Sequence, residues 1–140
     1  MQGRLHRPYG DGPAVIYTDA ENNGRGSCRV EEYWVHGQRH RDHRDGPALV
    51  YTHYKNFDLS GEEYFANGEL HRPGELGPAV THWDRQGEPV MMLYYENGQH
   101  HREPSSGPAW WHIRDGRTDR NVVRPFTELR YYVRGLLQRS

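Results

Sequence analysis

Residues 71–79 read His71-Arg72-Pro73-Gly74-Glu75-Leu76-Gly77-Pro78-Ala79, and the pattern H-R-x4-G-P-A recurs as HRPYGDGPA from His6, HRDHRDGPA from His40 and HREPSSGPA from His101. A glycine stands three residues before each histidine (Gly3, Gly37, Gly68 and Gly98), so the copies are spaced 34, 31 and 30 residues apart. Around Gly135 the segment ELRYYVRGLLQ is a fifth, incomplete copy. Two adjacent aromatics precede the last four of these glycines: Tyr33-Trp34, Tyr64-Phe65, Tyr94-Tyr95 and Tyr131-Tyr132. A fixed period of about thirty residues is the mark of a repeat array, in which each unit is one small supersecondary element stacked on its neighbours.

Working outward from the motif gives the unit. EEYWVHGQRH, EEYFANGELH and LYYENGQHH place β-formers on both sides of a residue-Gly pair, the sequence of a tight hairpin whose turn requires positive φ. After the H-R-x4 loop, Gly-Pro opens a further strand (AVIYT, ALVYTHY, AVTHW or AWWHI). Pro13, Pro47, Pro78 and Pro108 stand at its start, where a missing N–H harms the ladder least. A second turn is expected at Asn23-Gly24, Ser60-Gly61, Gln86-Gly87 and Asp115-Gly116. No segment shows a 3.6-residue apolar period of helical length, and only 121–129 leaves room for a helical turn. The expected fold is all-β: an antiparallel β-hairpin repeat array of four repeats plus a partial fifth, in one domain over 1–140. Copies fall near 3–30, 31–61, 62–92 and 93–128, with the partial copy at 129–140.

Composition agrees. Leu, Ile, Val and Phe make up only 23 of 140 residues, and 10 Tyr and 4 Trp stand in for them, which suits half-buried sheet surfaces better than helical bundles. A net charge of −1 argues against general attraction to nucleic acid or to an anionic membrane. There is no run of apolar residues long enough to span a bilayer, no secretory leader pattern at the start, and a lone Cys28. A cytoplasmic setting with no membrane association is expected.

The Y-Y-x-N-G-x element, as in LYYENGQ, resembles the β-hairpin unit of MORN (membrane occupation and recognition nexus) repeats. The added H-R-x4-G-P-A is similar to a variant found in bacterial, phage and giant-virus proteins. The resemblance covers nearly the whole chain and implies a MORN-like meander with a binding or scaffolding role, some relatives being immunity or antitoxin-like proteins.

Candidate functions follow from what the repeat does not use. No G-x-S-x-G, P-loop, H-E-x-x-H or cysteine-based zinc motif is present, so the expectation is a non-enzymatic module with no cofactor. Its expected partner is another protein, in an inhibitor, immunity or antitoxin-like role. Nucleic acid, held by arginines and aromatics, is the alternative, and a small-molecule or nucleotide binder is a further one. The repeat histidines His6, His40, His71 and His101 are too far apart for one metal to bridge successive repeats. Each is expected to hydrogen-bond backbone in its own loop, so that these histidines, with Gly37, Gly68 and Gly98 and the prolines, form the structural repeat. Seventeen arginines face the single Lys55, and cross-strand Glu-Arg pairs on the solvent face are expected. Partner contacts are assigned to Trp34, Trp83, Trp110 and Trp111, since adjacent tryptophans on a strand point to opposite faces. Arg117, Arg120 and Arg124 join them from the longest segment that breaks the repeat. The chain starts on the second half of a hairpin and stops on a first half plus its turn. Closure of the sheet within one chain or a homodimer through the terminal strands is therefore expected, the dimer being favoured.

Overall fold

The computed structural model describes residues 12–19, 28–52, 60–116 and 124–138, and over them the protein is all-β. Eight strands form one antiparallel sheet in unbroken meander order: β1 (Val15–Asp19), β2 (Cys28–Glu32), β5 (Leu49–Thr52), β6 (Ser60–Glu63), β9 (Val80–Trp83), β10 (Pro89–Leu93), β13 (Trp110–Gly116) and β14 (Arg124–Arg130). Between these pairs the chain makes two-stranded hairpins: β3 (Trp34–Val35) with β4 (Gln38–Arg39), β7 (Phe65–Ala66) with β8 (Glu69–Leu70), β11 (Tyr95–Glu96) with β12 (Gln99–His100), and β15 (Tyr132–Val133) with β16 (Leu136–Leu137). The turn of each hairpin carries two positive-φ residues, His36-Gly37, Asn67-Gly68, Asn97-Gly98 and Arg134-Gly135. This is the turn whose twist matches the flanking strands.

The hairpins are not separate. The Arg41, Arg72 and Arg102 N–H groups donate to the carbonyls of Phe65, Tyr95 and Tyr132, and the Gly68, Gly98 and Gly135 N–H groups donate back to Arg39, Leu70 and His100. Every hairpin is thereby tied to the next, and the row of hairpins forms a second layer along one end of the large sheet. The core sits where the layers diverge. Ala48, Ala79 and Ala109 of the G-P-A blocks are 0% exposed, and Tyr64, Val80, Thr81, Leu93 and Tyr94 are buried beside them. No large side chain among the described residues is fully enclosed. Stability therefore rests on ladders and side-chain clamps more than on a deep apolar core.

Several details differ from the sequence reading. Gln86-Gly87 does form a turn, held by Asp84, whose Oδ1 accepts from the Gln86 and Glu88 N–H groups. Ser60-Gly61 instead lies inside β6 and Asp115-Gly116 inside β13, because the registers Tyr51↔Gly61 and Asp115↔Pro125 keep the ladders running. Asn23-Gly24 lies outside the described residues. The stretch allowed a helical turn is strand β14 from Arg124 on, and the helical geometry among the described residues is 3-10, one turn each at Gly74–Leu76 and Pro104–Ser106 inside the H-R loops. The last copy has a complete hairpin, since Leu136–Leu137 pair back onto Tyr132–Val133 and the Gln138 N–H donates to the Tyr131 carbonyl. β1 and β14 occupy opposite edges of the sheet, so the described strands do not close on themselves.

Candidate binding surfaces

In the three described H-R loops the arginine, rather than the histidine, closes its own loop. Arg41, Arg72 and Arg102 lay their guanidinium groups over Tyr33, Tyr64 and Tyr94 at 3.9, 4.0 and 4.0 Å from the ring centroids. Each Nη1 donates to the carbonyl of the loop's own proline, Pro47, Pro78 or Pro108, at 3.1, 3.1 and 3.2 Å. The guanidinium is thus flat against an aromatic face on one side and bonded to the end of its loop on the other, which a lysine ammonium could not reproduce. The glycine before each proline completes the clamp. Gly77 has φ 126 and ψ −174, Gly107 has φ 118 and ψ −172, and a Cβ on either would stand 2.9 or 2.8 Å from the arginine Nη1.

The histidine reaches across to the next repeat. His40, His71 and His101 accept, at Nδ1, the turn N–H of Asn67, Asn97 and Arg134 at 3.0, 3.0 and 3.1 Å. The expectation of a bond within the histidine's own loop is corrected: the loop is held by arginine, and the histidine couples copies. His6 lies outside the described residues. Asparagine places an amide oxygen near the position of Nδ1, so His71→Asn is expected to retain most of the stability that His71→Ala loses, about 0.5–1.5 kcal/mol for one hydrogen bond. Urea unfolding of the two variants checks this, and equal losses would show that packing rather than the bond matters.

Between the two layers lies a stripe of mixed chemistry. Glu32 accepts from Trp34 Nε1 at 2.8 Å and from Arg39 at 2.9 Å, and the Arg39 guanidinium sits between the Trp34 and Phe65 rings at 5.3 and 4.9 Å. Farther along, His100 is stacked between Tyr95 and Tyr132 at centroid distances of 4.0 and 4.8 Å, with Trp110 at 5.5 Å and Arg130 over the Trp110 ring. Trp34 and Trp110 are therefore interlayer clamps. Burial raises the Glu63 carboxyl above its usual range, with Arg39 partly opposing, and raises Glu62 likewise, with Arg72 opposing.

Burial also lowers His100, helped by Arg130, and lowers His82, helped by His112. His82 Nε2 shares a hydrogen bond with the Tyr51 hydroxyl. A histidine whose folded pKa is depressed binds protons less readily folded than unfolded. Its stabilising contribution is present above the unfolded value of about 6.5 and is lost as pH falls toward the folded value. Glu62 and Glu63 have the opposite sign: their contribution is present below the unfolded carboxyl value and is lost as pH rises through the raised folded one. The histidine part of the stability is therefore expected to fall between pH 7.5 and 5.5, opposed by the rise that Glu62 and Glu63 give over their own range. The loss should be smaller in a His82→Gln, His100→Gln variant, as measured by urea midpoints at the two pH values.

Of the remaining arginine pairs, Arg44–Asp42 lies within its own loop and two others run along a strand. Arg29–Glu31 and Arg130–Glu128 join residues two apart on one strand face, and Arg39–Glu32 alone of these pairs links two strands. Each is open to solvent on at least one side, and screening by water keeps its contribution small.

The opposite face of the large sheet is different. Register places Met92, Trp111 and Leu129 side by side across β10, β13 and β14, and Trp83 and Ile113 follow on the same face. Trp83, Met92 and Trp111 are half-buried, Leu129 is 49% exposed, and no clamp of the repeat involves them. Trp111 and Trp83 thus share a face, while Trp110 and Trp34 turn toward the hairpins. Arg117 and Arg120 lie outside the described residues, and Arg124 begins β14. An open cleft of about 480 Å3 lies on the outer side of the hairpin layer, lined by Glu96, Asn97, Gln99, His101, Glu103 and Arg134. Among the described residues no three His, Cys, Asp or Glu side chains are grouped to share a metal ion, and no helix is long and apolar enough to cross a membrane. No family model, curated protein or solved structure matches this chain.

Proposed function

We propose that the protein is a non-enzymatic module that binds another protein through the sheet face bearing Trp83, Met92 and Trp111. The observation that carries this reading is the division of labour among side chains. Arginine, tyrosine, histidine and glycine of every described repeat are consumed in holding the array, while the apolar row Met92, Trp111 and its neighbours is left half-exposed on a rigid sheet. Such a surface, aromatic at its centre, is what protein interfaces use as anchors. The role we assign to such a module is that of an inhibitor, immunity or antitoxin-like factor in the cytoplasm. The alternative of nucleic-acid binding is less well supported, because Arg29, Arg39, Arg41, Arg44, Arg72, Arg102 and Arg130 are engaged by rings, carboxylates or proline carbonyls. A nucleotide is disfavoured in the described cleft by Glu96 and Glu103.

Affinity capture from source cells with the wild-type chain and with Trp111→Ala tests the reading. A protein retained by the first and released by the second, at unchanged melting temperature, is the expected result, with an affinity loss of about 2 kcal/mol for an aromatic anchor. A gel shift with nucleic acid that weakens steeply with salt, and that Trp111→Ala leaves intact, would replace it with the nucleic-acid reading.

A further inference from the structure

We propose that copies of this chain join head to tail, β14 of one pairing antiparallel with β1 of the next so that the meander continues across the junction. The inference is independent of the partner-binding reading. It starts from where the large exposed apolar side chains lie. Among the described residues these are Ile16 and Tyr17 on β1, Leu129 on β14, Leu136 and Leu137 on β16, and Leu76 in a loop. All but Leu76 sit at the two ends of the array. A repeat unit that faces water presents a polar outer face, and these outer strands are apolar instead.

The rest of the molecule shows what such an end accepts. Inside the chain the same junction is made three times, β2 with β5, β6 with β9 and β10 with β13, in equivalent registers: Glu32↔Leu49, Glu63↔Val80 and Leu93↔Trp110. Each is sealed by one further bond, from the Tyr33, Tyr64 or Tyr94 N–H to the Ala48, Ala79 or Ala109 carbonyl, at 2.8 Å every time. The two halves of a fourth junction exist at opposite edges: β14 runs into Tyr131, and β1 follows Ala14. Joined in the same register, Arg130 meets Val15, Leu129 meets Ile16, Glu128 meets Tyr17, and the Tyr131 N–H faces the Ala14 carbonyl of the next copy. Leu129 and Ile16 then fall in one row on one face, each covering the other.

The hairpin layer points the same way. Leu136 occupies the position of Gln38, Glu69 and Gln99, whose side chains lie within 3.4–3.9 Å of where a Cβ on the next repeat's turn glycine would stand. That position is polar in the three internal copies and leucine, 71% exposed, at the edge. A copy of this chain is the occupant because its β1 carries the strand type, and Ala14 the acceptor, that every internal junction uses. The two surfaces differ, so the contact is heterologous and open-ended: the assembly grows with concentration instead of stopping at a closed dimer.

Cross-strand neighbours have Cα atoms roughly 4.5–5.5 Å apart, inside the range a disulfide bridges. In a Cys28→Ser background, an Ile16→Cys chain mixed with a Leu129→Cys chain and oxidised is expected to give a covalent mixed dimer, with neither chain cross-linking when alone. The double variant is expected to give a ladder of covalent multimers. For the unmodified protein, the mass from light scattering should rise with concentration, and Leu129→Lys should suppress that rise at unchanged melting temperature. Efficient cross-linking of Leu129→Cys to itself would overturn the head-to-tail arrangement in favour of a symmetric one. A mass that stays monomeric at every concentration, with no cross-link, would overturn the association itself.

Discussion

Gly77→Ala will lower stability by roughly 2–6 kcal/mol, well beyond what a glycine-to-alanine change costs at an ordinary turn. Two effects add. At φ 126 and ψ −174 the backbone is in a region that only glycine occupies comfortably, and an L-residue held there carries about 1–3 kcal/mol of strain. A Cβ would also stand 2.9 Å from Arg72 Nη1. The arginine is flexible enough to move away, but moving gives up its stack on Tyr64 and its charged hydrogen bond to the Pro78 carbonyl, together on the order of 1–3 kcal/mol. Gly87 separates the two effects. Its φ of 81 is also positive, yet nothing lies within 4 Å of its missing Cβ, so Gly87→Ala should show the backbone cost alone. Urea unfolding of Gly77→Ala, Arg72→Ala and the double variant completes the test. If the arginine clamp is what the glycine accommodates, the double variant loses less than the sum of the singles; additive losses would mean the two residues act separately.

The clamp also shows how far the sequence could be read. Asn67-Gly68 and Asn97-Gly98 announce hairpins because the constraint is local: two positive-φ residues between β-formers have one geometry. Repetition therefore sufficed for the meander. Contacts between copies are another matter. A histidine that bonds its own loop and one that bonds the next repeat leave the same periodic trace, so His40, His71 and His101 were legible as structural but not as couplers. The arginines were harder still. An excess of Arg over Lys suggests solvent-face pairs, yet Arg41, Arg72 and Arg102 each stand eight residues after Tyr33, Tyr64 and Tyr94, a spacing that held the signal. Only the fold, by bringing the loop back over the strand before it, shows guanidinium and ring in contact. The tryptophans divide for the same reason: alternation separates Trp110 from Trp111, but which face the hairpins cover is a tertiary fact. Ser60-Gly61 was misread because a glycine that makes a turn and a glycine that makes room look alike in sequence.

The room at Gly61 has a measurable consequence. Gly61 is regular strand, and there an alanine normally gains about 0.4–1 kcal/mol by restricting the unfolded chain. Here the sign reverses. A Cβ on Gly61 would overlap Cζ and Oη of Tyr51 and lie 2.7 Å from Cε2, so the ring lying across the strand must swing off. Overpacking of this kind costs about 1–3 kcal/mol, and the displaced hydroxyl loses its hydrogen bond to His82 Nε2, about 0.5–1.5 kcal/mol more. The net expectation for Gly61→Ala is a loss of roughly 1–4 kcal/mol, with a second signature at His82. That imidazole is held below its usual pKa chiefly by burial, and removing the ring beside it should let its pKa climb back toward the ordinary value, as followed by NMR titration. Tyr51→Phe keeps the carbon that clashes and so should not rescue Gly61→Ala. Tyr51→Ala removes the ring, and the double variant should then be more stable than the two single losses predict. Full rescue by Tyr51→Phe would assign the effect to the hydroxyl, and no change at all on Gly61→Ala would mean that the ring does not lie over the strand.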